Sequence, residues 1–156
     1  MSIAETTFRL HKPCHNCPFR CDGGLELEPG RLDGIVTGLV QDDYSTFQCH
    51  KTVHNERTGG EWTDDGDYLP SGQESMCAGA IIYLEKLGRP TVGMRLGRML
   101  GVYQPELLLP FYSDIIDPEL PGKGLLSKGE QNDSPPNQSE RYEHVEQCAK
   151  GSARRR

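Results

Sequence analysis

Long apolar stretches are missing from this sequence. No run approaches the roughly 20 residues that a helix needs to cross a bilayer, and residues 1–10 lack the basic start and apolar stretch of a signal peptide. We therefore expect a cytoplasmic protein with no membrane partner. Structural disulfides are rare in that compartment, and clustered cysteines there more often bind metal or carry out redox chemistry.

Apolar residues are also scarce. Hydrophobic residues make up 35% of the 156 positions, whereas glycine and proline together contribute 29 (18 + 11). This composition fits one domain with extensions, but it leaves little material for a self-sufficient core. A bound metal is a common additional source of stability in such chains.

Basic charge is in short supply outside the C-terminal end. Residues 1–122 hold 18 acidic and ten basic side chains, a balance of −8, whereas residues 123–156 hold five and seven. An acidic body argues against a broad nucleic-acid surface. We expect a protein partner instead, and the sequence does not indicate the oligomeric state.

Hydrophobic periodicity predicts a small, helix-rich α+β fold. The strongest signal is Leu32, Ile35, Val36 and Leu39, which form one apolar helical stripe. Further helices are predicted from Ser75 to Leu87 and over residues 91–101, with one more turn near 105–109. In the helix at 91–101, the side chains expected to face inward are Val92, Leu96, Met99 and Leu100. Strands are predicted around Thr6–Phe8 and over residues 45–50.

Two regions are defined by composition. Residues 1–121 are predicted to form a single metal-centred domain, and the Gly-, Ser- and Pro-rich residues 122–156 a disordered tail with a basic end. Within the domain, residues 51–73 are polar and rich in turn signals, which predicts a surface excursion. Its aspartates do not match the spacing of a calcium-binding loop.

Cysteines carry the clearest chemical signal. Cys14 and Cys17 are separated by two residues, so one tight turn can direct both thiolates to one point. Cys49 and Cys77 stand alone, each in a short, distinctive setting. We predict that Cys14, Cys17, Cys49 and Cys77 bind one metal centre.

Four neighbours of this set are alternatives or supporting groups. Cys21 could replace Cys14 as a ligand or remain a buried free thiol. His50 could complete a zinc site of three cysteines and one histidine, or donate a hydrogen bond to a cluster sulfur. Arg20 and Lys51 could offset the negative charge of four thiolates. Cys148 lies in the predicted tail and is not expected to be a ligand.

The identity of the metal centre is open between two cofactors. Structural zinc sites usually use two close pairs of ligands, whereas one pair plus two distant cysteines is common for a [4Fe–4S] cube. Pro18, directly after Cys17, is also typical of cluster proteins. The spacing therefore favours a [4Fe–4S] cluster, with zinc as the alternative.

Three blocks resemble a family of small cysteine-motif proteins of actinobacteria and their phages. The blocks are Cys14-His-Asn-Cys-Pro-Phe-Arg20, Phe47-Gln-Cys-His-Lys-Thr52 and Cys77-Ala-Gly79. The resemblance covers residues 12–109 and implies the same four-cysteine set, with Cys21 outside it. It implies no activity. If the chain is phage-encoded, its location would be the host cytoplasm and its partner a host protein.

The design is also similar to that of WhiB-type regulators, which hold a [4Fe–4S] cluster with four cysteines, although their cysteine order and glycine-rich turn differ. We expect a non-enzymatic iron–sulfur protein with a regulatory or redox-sensing role. A zinc-binding interaction module and a small cluster-dependent enzyme or electron carrier are the alternatives. The sequence offers no clear acid–base pair for catalysis.

Overall fold

The computed structural model describes residues 2–118. Its elements are α1 (Ile3–Thr7), α2 (Arg31–Gln41), α3 (His50–Val53), β1 (Glu61–Trp62), β2 (Tyr68–Leu69), α4 (Ala78–Leu87), α5 (Val92–Met99) and a 3₁₀ helix (Pro105–Asp114). The helix-rich α+β class is confirmed. None of these helices is long and apolar enough to cross a membrane. The predicted tail at 122–156 and Cys148 lie outside the described residues.

The N-terminal segment is a helix, so the predicted strand around Thr6–Phe8 is wrong. Ser2 caps α1 and forms a capping box with Glu5, in which each side chain bonds to the other residue's backbone N–H. This reciprocal cap satisfies two amides that a helix start would otherwise leave unpaired. It outweighs the β preference of two adjacent threonines, which is weak and depends on context.

Helix α4 forms the centre of the core. All seven residues from Ala78 to Leu84 are buried, so this helix is apolar on every side rather than along one stripe. The 3₁₀ helix packs against it. The Lys86 ammonium joins the two by donating to the backbone oxygen of Ile115 at 2.5 Å and to Asp117 at 2.8 Å.

Helices α2 and α5 lie at the surface. The expectation that Leu96, Met99 and Leu100 face inward is wrong, because these side chains are 51–82% exposed. Leu39 of α2 is buried, while the opposite face of the helix is exposed. In α5, Met94 and Gly97 face inward. A Cβ at Gly97 would lie 2.7 Å from the Phe8 ring, which stacks on Tyr103 at a centroid distance of 5.0 Å.

The polar excursion at 51–73 holds the small sheet. Strands β1 and β2 pair antiparallel, with Glu61 opposite Leu69 and Trp62 opposite Tyr68. Trp62 stays 60% exposed, although its ring stands 5.0 Å from that of Tyr68. The predicted strand at 45–50 is reduced to one bridge, Gln48 with Met76.

A buried carboxylate ties this excursion to the core. Glu74 accepts hydrogen bonds from the Tyr68 hydroxyl at 2.6 Å and from the backbone N–H groups of Ser71 and Gly72 at 2.8 and 2.9 Å. Burial alone would raise the pKa of Glu74, but the hydrogen bonds outweigh it and lower the pKa to about 2. The ionised carboxylate therefore stabilises the folded state.

We predict that Glu74→Gln lowers the free energy of unfolding at pH 7 by about 1–3 kcal/mol, the usual effect of breaking buried hydrogen bonds to a charged group. Because the folded pKa is depressed, this stabilisation is present above the unfolded value of 4.5 and is lost as the pH falls towards 2. Urea unfolding of both proteins should show a gap that narrows below pH 4.5. Glu61→Gln, on exposed β1, is the control, and an equal loss there would contradict the prediction.

Candidate metal centre

The first two cysteines occupy one tight turn. The backbone N–H of Cys17 donates to the carbonyl oxygen of Cys14 at 3.1 Å, which closes the turn around His15 and Asn16. The Cys17 side chain is fully buried, whereas that of Cys14 is half-buried. The turn thus presents one sulfur to the core and holds the other nearer the surface.

The two single cysteines are brought together by a short antiparallel pairing. The N–H of Cys49 donates to Ser75 and the N–H of Cys77 donates to Phe47, both at 2.8 Å. Gln48 and Met76 pair between them. Side chains alternate along extended backbone, so both cysteines lie on the face opposite to this central pair. Each is then the N-cap of a helix, α3 and α4 respectively.

Four thiols and one imidazole meet where these segments converge. The sulfurs of Cys17 and Cys77 are 3.5 Å apart. The ligand atoms of Cys14, Cys49 and His50 lie within 4.8 Å of one another, with 3.9 Å between Cys14 Sγ and His50 Nε2. This second group can hold a metal ion. Cys14 interacts electrostatically with Cys17 and Cys49, which links the two groups into one cluster.

Thiols this close to one another do not all ionise easily, because their thiolates would repel each other. Burial, and then the nearby sulfurs of Cys17 and Cys49, raises the pKa of Cys14 to about 11. A hydrogen bond from Cys77 lowers the pKa of Cys17 to about 7, and holding that proton raises the pKa of Cys77. Without a cation only part of the cluster can ionise. A divalent metal would remove this conflict, because thiolates are the form that binds metal.

Backbone amides also point at the sulfurs. The N–H groups of Phe19 and Gly79 both lower the pKa of Cys17. Gly79 can approach only because it has no side chain, since a Cβ at this position would lie 2.4 Å from Cys17 Sγ. Such N–H groups around thiolates compensate charge in the same way as other hydrogen bonds to anions.

The histidine of the cluster is held by a neighbouring amide. His50 Nε2 lies 3.2 Å from Asn16 Oδ1. Burial lowers the pKa of His50, and the positive charges of Lys51 and His54 lower it further. The neutral imidazole is the form that can coordinate a metal.

The other predicted neighbours are placed at the rim. Arg20 Nε donates to the backbone oxygen of Asp22, and its guanidinium pairs with Asp114 at 3.7 Å. Lys51 is exposed on α3. Cys21 is half-buried and is not one of the four free thiols, so the expectation of a buried free thiol is wrong.

Two residues of the cluster had no predicted role. Asn16 holds His50, and Gly79 makes room for Cys17. Both lie inside the cysteine blocks, Asn16 between the first pair and Gly79 two positions after Cys77. Their position beside the cysteines was the available signal, but their partners lie in other blocks, far away in the sequence.

Comparisons with protein-family models, curated proteins and solved structures find no match to this chain. The resemblance of the three cysteine blocks to an actinobacterial and phage family therefore stays a prediction. Function has to be inferred from the cluster itself.

We predict that Gly79→Ala displaces Cys17 and lowers the free energy of unfolding by about 1–3 kcal/mol, the usual effect of overpacking a core. Urea unfolding under reducing conditions measures this. Gly34→Ala is the matched control, because Gly34 lies in α2 with no atom within 4 Å of an added Cβ. That change should be neutral or stabilising by up to about 1 kcal/mol. Equal effects at the two glycines would show that the close contact with Cys17 does not affect the free energy of unfolding.

Proposed function

We propose that this chain is a zinc-binding interaction module whose ion is held by Cys14, Cys17, Cys49 and Cys77. The observation that carries the proposal is the 3.5 Å between the sulfurs of Cys17 and Cys77, which are 60 residues apart in sequence. Buried thiols that are free and in mutual contact are unusual outside metal sites. The three segments that bear the four cysteines come together from distant parts of the chain.

The sulfur spacing favours one ion over a cube. Two thiolates bound about 2.3 Å from one tetrahedral zinc are about 3.8 Å apart. The four ligands of a [4Fe–4S] cube bind four different irons and are therefore more widely spaced. The contact between Cys17 and Cys77 thus supports zinc, although the sequence pattern favoured a cluster.

A [4Fe–4S] cluster is the second candidate, and one observation supports it. Cys17 and Cys77 are not members of the compact group formed by Cys14, Cys49 and His50. The whole set is therefore wider than a single ion requires. Closing around zinc would need the two groups to move together.

A structural role fits better than catalysis. Cys17, Cys49 and Cys77 are only 0–3% exposed, which is typical of closed zinc sites rather than of catalytic ones with an open position. A surface groove of about 290 Å³ runs beside α1, along Phe8 and Arg9, and does not include the cysteines. The metal would then act by adding binding free energy to folding.

The interaction part of the proposal depends on the surface around α5. Met99 and Leu100 are 82% and 69% exposed. Leu96, one helical turn before them, is 51% exposed. Apolar groups clustered in this way mark contact surfaces on soluble proteins. A phage origin and a host partner stay predictions of the resemblance.

We predict one zinc and no acid-labile sulfide per chain in protein purified anaerobically with reductant. Elemental analysis and sulfide assay measure both. Cys17→Ser and Cys77→Ser should lose the metal and the cooperative unfolding transition, because metal binding in such modules is folding free energy. Cys21→Ser and Cys148→Ser are the controls and should keep both the metal and the cooperative unfolding transition.

The alternatives give different results in the same samples. Iron with sulfide, and visible absorption that bleaches with dithionite, would establish the cluster instead. Folded protein with neither metal nor sulfide, and no gain in stability on adding zinc, would refute the metal centre altogether.

A further inference from the structure

The cluster has one donor more than a tetrahedral ion can use. Zinc takes four ligands, whereas four sulfurs and His50 Nε2 converge here. His50 is closest to the Cys14 side of the cluster, at 3.9 Å from its sulfur. For comparison, an imidazole nitrogen and a thiolate on the same zinc are about 3.6 Å apart, given bond lengths of about 2.1 and 2.3 Å.

We propose that His50 is a reserve ligand that replaces Cys14, so that the site holds its metal either with four thiolates or with three thiolates and one imidazole. This inference rests on the proposed function, because it requires a metal at the cluster. It adds to that function a site that stays loaded when its most accessible thiolate is lost.

Burial identifies Cys14 as the ligand that is exchanged. Its side chain is half-buried, whereas the other three cysteines are almost completely enclosed. Cys49 is further fixed by its backbone bond to Ser75, and Cys17 by the turn and by Gly79. Reagents from solvent therefore meet Cys14 first, at the point where His50 is available.

The exchange balances without an oxidant. The bond between zinc and Cys14 Sγ breaks, and the Nε2 lone pair of His50 forms the new bond. Nε2 must first lose its proton, so the ring binds as the tautomer that carries hydrogen on Nδ1, and the contact with Asn16 is given up. The released thiolate takes a proton from water. The centre becomes one unit less negative.

Cobalt(II) is the probe, because thiolate-to-cobalt absorption grows with the number of bound thiolates. We predict that Cys14→Ala still binds one cobalt, with about three-quarters of the wild-type thiolate absorption, as a set of three cysteines and one histidine requires. His50→Ala should bind like wild type. The double variant should bind at least about tenfold more weakly than Cys14→Ala, since loss of even an outer partner costs about 10–100-fold.

A matched control separates His50 from any other histidine or from water. His15 is exposed beside Cys14 in the same turn, and Cys14→Ala with His15→Ala should bind as Cys14→Ala does. If the His50 double variant binds as tightly as Cys14→Ala, the inference is wrong while the metal centre stands. If wild type binds neither cobalt nor zinc, the proposed function fails, and this inference with it.

A second measurement avoids variants of Cys14 that fold poorly. Cobalt-loaded protein in which Cys21 and Cys148 are both changed to serine is treated with one equivalent of maleimide. The maleimide alkene carbon bonds to the thiolate sulfur while water supplies a proton to the neighbouring carbon. Mass spectrometry of digests gives the modified fraction at Cys14. We expect cobalt to be retained with His50 present and released in His50→Ala. Equal release from both proteins would overturn the inference.

Discussion

The structure depends on the meeting of three distant chain segments at one group of sulfurs. The turn at Cys14–Cys17 is local, but the approach of Cys49 to Cys77 needs the two backbone hydrogen bonds that join Phe47 and Ser75 to them. The longest continuous buried stretch in the described part of the chain runs only from Glu74 to Leu84. With so small a core, a closed metal site would provide stability that packing alone does not.

Features that depend on local pattern were predictable. The apolar stripe of α2 identified a surface helix, because one face of such a helix packs against the protein and the other faces solvent. The spacing of Cys14 and Cys17 identified a tight turn that carries two thiols, and the structure has this turn. The two lone cysteines were recognised from their settings, and the structure brings both to the same place as the turn. Helix α4 was located correctly, but its burial on every side was not apparent from one stripe.

Features that depend on distant partners were not predictable. The segment near Thr6 is a helix rather than the predicted strand, because the capping box of Ser2 and Glu5 stabilises the start of a helix there. The contact of Gly79 with Cys17 and that of Asn16 with His50 join residues far apart in sequence. The kind of metal centre depends on sulfur spacing, which no count of intervening residues contains. The cysteine order indicated a cluster, but it contains no information on the distances between the four sulfurs.

The bond from the Cys49 N–H to the Ser75 carbonyl has one further consequence. This bond holds together the two ends of the segment that runs from Cys49 to Ser75. Within that segment, Glu74 accepts hydrogen bonds from the backbone N–H groups of Ser71 and Gly72. Residues 50–74 therefore form a closed loop. Lengthening such a loop costs only about 0.6 kcal/mol of closure free energy for each doubling of its length. The stretch around Asp64–Gly66 is thus a natural insertion point, where a fluorescent domain or affinity tag could be grafted without disturbing the cysteines.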